Sequence, residues 1–257
     1  MDMTINSPTR LDIHALHKLW QEAFGDGDAF LDNFFDTAYS PEHARVARLD
    51  DAIVGALYWF DCQYDNKKIA YVYAVATAKA QRGKGVCTSL MKNTHAHLKS
   101  LGYAGAILVP GSQALFEFYE KIGYKTCSSV SEIRVAAGVA PCAIRKIDKA
   151  EYLSLRRKYL PIGGVVQEGA CLDFLETYAT LYSGDDFLLA AYKSADTLFG
   201  VELLGNTTSE RSASITRALG AGLASFRTPG EDKPFAMYYP LCDNYSLTPK
   251  YFGLAFD

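Results

Sequence analysis

The stretch Val75-Ala76-Thr77-Ala78-Lys79-Ala80-Gln81-Arg82-Gly83-Lys84-Gly85-Val86-Cys87-Thr88-Ser89-Leu90 runs from an apolar strand through a basic glycine turn into a helix. That order is suited to holding a pyrophosphate. Two glycines let the backbone approach a ligand with no Cβ in the way, and the N–H groups of a first helical turn lack intrahelical acceptors and point at whatever anion lies in front. Arg82 and Lys84 put positive charge beside them.

Upstream, Leu11, Leu16, Leu19, Trp20, Ala23 and Phe24 recur at helical steps, and a second helical stretch covers Ala29 to Tyr39, before Pro41. The pattern then becomes a meander. Arg45 to Leu49 alternates, Asp50-Asp51 turns, Ile53 to Phe60 returns, Asp65 to Lys68 turns again, and Ile69 to Thr77 forms a third strand, apolar on both faces as a central strand is. Downstream, Val86, Leu90, Leu98 and Leu101 mark one face of a helix ending at Gly102. Ala104 to Pro110 reads as a buried strand, and Ser112 as the cap of a helix over Gln113 to Ile122.

The chain loses charge and periodicity near Val135 to Pro141, which predicts a linker between two units, 1–138 and 139–257. In the second unit we expect helices over Asp148 to Tyr159 and Leu172 to Tyr182 and paired strands over Phe187 to Tyr192 and Leu198 to Leu204. The likeness of Ile53 to Leu57 and Leu198 to Leu203 hints at a remote duplication.

With 257 residues, 49% hydrophobic and 21% charged, the composition is that of a globular protein with a sizeable core. A net charge of −3 gives no field that would draw it to nucleic acid or an anionic membrane, so neither partner is expected. No apolar run approaches membrane-span length and no leader is recognisable, which predicts a cytoplasmic protein. The 6 cysteines and 5 histidines have no zinc-like spacing, so no metal is expected.

The order of elements and these residues together resemble the GCN5-related N-acetyltransferase (GNAT) superfamily over roughly residues 1–134. Arg82-Gly83-Lys84-Gly85-Val86-Cys87 corresponds to its motif R/Q-x-x-G-x-G/A, with Cys87 in place of the final small residue. Arg217-Ala218-Leu219-Gly220-Ala221-Gly222 fits the same pattern better, but Pro229 forbids a long helix after it. The resemblance implies an α+β GNAT fold with a mixed, mostly antiparallel sheet flanked by helices, plus a second, smaller and degenerate GNAT-like domain.

It also implies acetyl-CoA, or a related acyl-CoA, as donor. The backbone of Val75, Ala76 and Thr77 would bind the pantetheine arm like an added strand. The N–H groups from Gly83 through Thr88, including Lys84, Gly85, Val86 and Cys87, would hold the pyrophosphate with Arg82 beside it, and Ser112 would sit where many relatives carry an asparagine. Phe118-Tyr119-Glu120-Lys121-Ile122-Gly123-Tyr124 looks like the family's tyrosine-bearing segment, which makes Tyr119 the expected general acid for the departing thiolate. No Asp or Glu occurs from Lys67 through Gln81 to serve as base. The two-part layout and the ending Tyr251 to Asp257 look like the enhanced intracellular survival (Eis) branch, in which the terminal carboxylate is the base; carried over, that role falls to the main-chain carboxylate of Asp257.

The reading is therefore an N-acetyltransferase acting on a small amine acceptor. A non-catalytic acyl-CoA-binding or regulatory module is the alternative, favoured by Cys87 and by the missing strand carboxylate. Apolar strands in the second region are compatible with a homo-oligomer.

Overall fold

A computed structural model describes residues 3–242 and 247–256. Its first half begins with a short strand, β1 (Met3–Asn6), and two helices, α1 (Ile13–Phe24) and α2 (Asp28–Thr37). The meander follows as β2 (Ala44–Leu49), β3 (Ala52–Tyr64) and β4 (Lys67–Thr77). Its two-residue loops, Asp50-Asp51 and Asp65-Asn66, have φ between 46° and 68°. Paired left-handed residues make hairpin turns whose twist matches that of the strands, and Asp and Asn tolerate that conformation.

The chain continues through α3 (Val86–Ser100), β5 (Gly105–Leu108) and α4 (Gln113–Lys121) into β6 (Lys125–Ala136). The second half comprises β7 (Arg145–Lys146), α5 (Lys149–Tyr159), β8 (Val166–Gln167), α6 (Ala170–Glu176), β9 (Thr180–Ser183), β10 (Phe187–Ser194), β11 (Thr197–Gly205), α7 (Ser209–Ala218), β12 (Leu223–Pro229) and β13 (Lys233–Pro240). Among the described residues these strands form one sheet in the order β1-β2-β3-β4-β5-β13-β6-β12-β11-β10-β9-β7, with β8 pairing β3. Only β4 with β5 and β11 with β12 run parallel. This is the mixed, mostly antiparallel α+β arrangement that the resemblance implied.

β13 ties the halves together. After the whole excursion of the second half it enters the first half's sheet between β5 and β6, pairing Tyr238 with Ile107 and Met237 with both Leu108 and Thr126. β6 is the seam: its residues 125–130 pair with β13, and residues 130–136 pair with β12. The linker accordingly starts after Ala136, because Val135 and Ala136 still pair with β12.

Two helical expectations need correction. The segment expected as helix over 172–182 is helical only to Glu176, since Thr180 to Ser183 pair with β10 and their β-branched and aromatic side chains suit a strand. Leu101, placed on the buried face of α3, lies after its last turn and is exposed. Helices cover both sheet faces. α1, α2 and α6 share one core with Trp20, Phe34 and Tyr58, while α3 and α4 share another with Leu57, Trp59 and Val72. No described helix is long and apolar enough to cross a membrane.

The tail, residues 247–256, returns across the first of these cores and is held by a buried ion pair. Arg156 Nε donates to Glu202 Oε2 at 2.6 Å and its Nη2 to Oε1 at 3.0 Å. Tyr251 Oη donates to the same Glu202 Oε1 at 3.0 Å, and Arg156 Nη1 reaches Val165 O at 3.1 Å. Gln167 takes Arg156 on its Oε1 and donates its Nε2 to Leu254 O. Both charges are fully buried, so their solvation is replaced by these contacts and by Tyr152 Oη, which donates to Glu202 Oε2 at 3.5 Å. Arg156→Leu leaves the Glu202 carboxyl in the core without its cationic partner. Urea unfolding of that variant should give a loss of about 3–5 kcal/mol, and a loss below about 1 kcal/mol would contradict this account of the pair.

Candidate functional site

The site begins where two parallel strands part. β4 pairs with β5 only over Ile69–Gly105, Ala70–Ala106 and Tyr71–Ile107. From Val72 onward β4 keeps β3 on one side and has no strand on the other among the described residues. A bulge accompanies the parting. Ala56 pairs with Ala76 and Tyr58 with Tyr73, so Ala74 and Val75 together face Leu57, and Ala74 takes φ of 47°.

The bulge decides which backbone groups are open. Ala78 N–H bonds Val54 O at 2.9 Å on the β3 side. By the two-residue alternation of a strand, Ala76 also faces β3, and Val75 and Thr77 direct their groups to the open edge. Of the three residues expected to present backbone to a ligand, Ala76 therefore does not. Thr77 O is also engaged, accepting from Arg82 Nε at 3.1 Å. Val75 N–H and C=O and Thr77 N–H remain.

The glycine turn lies at the end of that edge. Gly83 and Gly85 hold φ of +75° and +81°, a conformation in which a Cβ is strained, and a Cβ built on either would meet nothing within 4 Å. The space before them is open. The first backbone bond into α3 is Ser89 N–H to Gly85 O, and among the described residues the N–H groups of Gly83, Lys84, Gly85, Val86, Cys87 and Thr88 have no backbone acceptor. Gly85, the residue capping the helix, supplies no side chain either. Three of these donors lie in the glycine turn and three in the first turn of a fifteen-residue helix, at its positive end, a set that suits a diphosphate. The exposed Arg82 and Lys84 flank it.

Tyr119 comes to the same place from α4. It is buried in the core that also holds Val86 and Leu90 of α3, with its ring 5.6 Å from Tyr124 and 5.2 Å from Phe118. Burial, reinforced by the nearby Cys87, pushes its phenol far above the usual value, so it stays protonated. Burial likewise raises the Cys87 thiol to about 11, which makes it a neutral packing group at pH 7. Ser112 is the residue before α4, but its exposed hydroxyl makes no capping bond, contrary to its expected role as cap.

Asp257 lies outside the described residues. The residue before it is seated: Phe256 N–H donates to Tyr71 Oη at 3.3 Å, and its ring lies 5.2 Å from Phe60, 5.2 Å from Phe174 and 5.7 Å from Tyr73. Tyr71 is the last β4 residue that pairs with β5. The tail thus ends its described course at the fork. Arg227 fixes the approach, its Nη1 donating to Gly253 O at 3.2 Å and Ala255 O at 3.3 Å, with its guanidinium 4.5 Å over the Phe235 ring. Arg227, Arg156 and Glu202 did not emerge from the sequence. The available signal was Glu202 itself, a carboxylate inside the apolar run Leu198 to Leu204. Among the described residues no cluster of three His, Cys, Asp or Glu is placed to hold a metal.

Residues 4–127 match the family model of the acetyltransferase (GNAT) domain. No curated protein sequence matches the chain. Solved structures share its fold at low identity. A GCN5-related N-acetyltransferase from Anabaena variabilis is 12% identical with a TM-score of 0.73, covering 94% of this chain and 73% of its own. One from Kribbella flavida is 15% identical with a TM-score of 0.69, covering 93% and 72%. Eis1 from Mycobacterium abscessus is 14% identical with a TM-score of 0.66, covering 93% and 74%. The likeness in fold extends through both halves.

The tail's seat requires a glycine. A Cβ on Gly253 would lie 1.9 Å from Tyr251 Oη and 2.8 Å from Glu202 Oε1. Gly253→Ala should therefore lower stability by about 1–3 kcal/mol in urea unfolding and speed proteolytic removal of the tail. Unchanged stability together with an equally resistant tail would refute that seat.

Proposed function

Residues 4–127 belong to the acetyltransferase (GNAT) domain family, whose donor is acetyl-CoA, and on that premise we propose that the chain moves an acetyl group from acetyl-CoA to the amine of a small acceptor. The observation that carries the proposal is the joining of an open strand edge, at Val75 and Thr77, to six unpartnered N–H groups at the start of α3. An extended amide-bearing arm that ends in a diphosphate matches that donor set along its length. Two units remain part of the reading, an acetyltransferase unit over 1–138 and a smaller one over 139–257 that lends β13 and the tail to the first.

In the reaction the acceptor nitrogen attacks the thioester carbonyl carbon, the C–N bond forms, the C–S bond breaks, and the sulfur leaves with the bonding pair as thiolate. Tyr119 is assigned to that sulfur. A free thiol loses its proton near pH about 8.5, below the raised phenol, so full transfer from Tyr119 is uphill. The phenol instead donates a hydrogen bond that strengthens as charge develops, and solvent protonates the thiolate after it leaves. The proton lost by the amine goes to the main-chain carboxylate of Asp257, whose neighbour Phe256 sits at the fork. β4 offers none, and the carboxylate at its end, Glu22, accepts from Lys79 N–H at 2.6 Å.

Two measurements test these roles. Tyr119→Phe should lower kcat by about 10²–10³-fold while acetyl-CoA affinity by calorimetry stays within a factor of about two; an unchanged kcat rejects the assignment. Because burial raises the phenol, the rate should show no loss from Tyr119 ionisation as pH rises from 7 to about 10. Removing Asp257 should cost about 10²–10⁴-fold in kcat at neutral pH, with a deficit that narrows as alkali deprotonates the amine. Asp257→Asn, which keeps the main-chain carboxylate, should retain most of the rate. Full activity after the truncation would rule out that base.

A further inference from the structure

A second cavity lies outside the fork. It measures about 700 Å³ and is floored by β6, β12, β11 and β10 on the face that carries the tail. The sheet register builds its floor. Arg134 pairs with Ser225, Ser225 with Phe199, and Phe199 with Tyr192, so these four side chains form one row across four strands. Glu132 and Arg227, paired two residues further along, stand on the same face.

The row is chemically graded. At one end Tyr192 and Phe199 stack at 5.2 Å and 18°, and Tyr178 stands 6.0 Å from Tyr192 as a wall. At the other, Arg134 Nε and Nη2 donate to Glu132 at 3.0 and 3.1 Å, Ser225 Oγ donates to the same carboxylate at 2.5 Å, and Lys233 lies 3.9 Å from it. The one carboxylate among the described lining residues is thus saturated, against three cations, Arg134, Arg227 and Lys233. Arg227 is committed to the tail. Arg134 Nη1 and the Lys233 ammonium are the donors left facing the opening.

Between the two ends Ala255 lines the cavity, and the next residue, Phe256, bonds Tyr71 at the fork. Three strand spacings, about 14 Å, separate the ends, a span for a small molecule rather than a polymer.

Resting on the acetyltransferase reading, we propose that this cavity is the acceptor subsite, and that the acceptor carries, besides its amine, a planar ring and an anionic group. The ring lies on Phe199, Tyr192 and Tyr178. The anion meets Arg134 and Lys233, and the amine is directed past Ala255 to the fork. The volume is that of an ordinary small-ligand pocket, and three cations against one carboxylate among its described lining residues give it a positive charge.

Calorimetry of the full-length protein without acetyl-CoA, using 4-(aminomethyl)benzoate, its methyl ester and benzylamine as matched probes, tests this. The carboxylate should bind at least tenfold more tightly than the other two, and the advantage should shrink as salt is raised. Arg134→Gln with Lys233→Gln, both at exposed positions, should remove the advantage by weakening the carboxylate probe, and Tyr192→Ala should weaken all three. Equal affinities for the three probes, no binding of any, or an advantage that survives the double substitution would each overturn the subsite. Following thiol release from acetyl-CoA separates the two proposals. Selective binding with no release counts against the transferase reading and leaves the anion site standing, whereas release that is indifferent to the carboxylate does the reverse.

Discussion

The structure depends on β4 keeping its pairing with β3 while giving up β5. Backbone N–H and C=O groups are rarely left without partners inside a sheet, so a strand that loses one neighbour part-way needs a cause. The bulge at Ala74 and Val75 supplies the first: it adds twist on the β3 side and turns β4 away after Tyr71. The second is β13. By bonding the far edge of β5 from Gly105 to Leu108, it holds that strand to its own course and prevents it from following β4. A strand that arrives from the end of the second half is therefore part of what keeps the fork open, and the halves cannot be separated without consequence for the site.

The tail acts at the same fork. Phe256 bonds Tyr71, the last paired residue, and the buried Arg156–Glu202 pair, Gln167 and Arg227 restrain Tyr251, Gly253, Leu254 and Ala255. A buried ion pair is a poor source of net stability, because desolvation offsets most of the attraction. What it does well is define geometry. Here one carboxylate and one guanidinium fix a segment of chain that would otherwise lie on the surface by apolar contact alone.

Much of the first half was legible in the residues. The acidic turns at Asp50-Asp51 and Asp65-Asn66 are local, so the meander could be read without tertiary information, and so could the helix that Gly85 opens. The bulge was not legible: nothing in Tyr71-Val72-Tyr73-Ala74-Val75 distinguishes the alanine that goes left-handed, and hence Ala76 was assigned an open backbone that β3 occupies. β13 was missed because Lys233-Pro234-Phe235 carries a proline at its second position, which fits a strand only where the partner needs no N–H. β1 is four residues long, too short to show a period. Arg227 belongs to the site only through contacts made across the fold.

The second half shows why the motif needs its surroundings. β9, β10 and β11, then α7 and β12, repeat the order β2, β3 and β4, then α3 and β5, including the single parallel pair at the end. In that correspondence β11 matches β4 rather than β3, so the sequence likeness noted between Ile53 and Leu198 was out of step by one strand. The better copy of the glycine pattern, Arg217 to Gly222, falls at the end of α7, where carbonyls rather than N–H groups are exposed and an anion is repelled. The start of α7 is closed as well. Thr208 Oγ1 accepts from Arg211 N–H at 3.3 Å, and Asp186 holds the Arg211 guanidinium at 3.0 Å and Asn206 at 2.8 Å, placing a carboxylate of the chain beside that first turn. Beyond Gly200 and Phe226, where β11 and β12 stop pairing, Arg227 reaches Val201 O at 3.4 Å and ties the tail there. The same topology thus yields an open fork and an uncapped helix in one half, and in the other a capped helix and a fork filled by Arg227, which holds the tail.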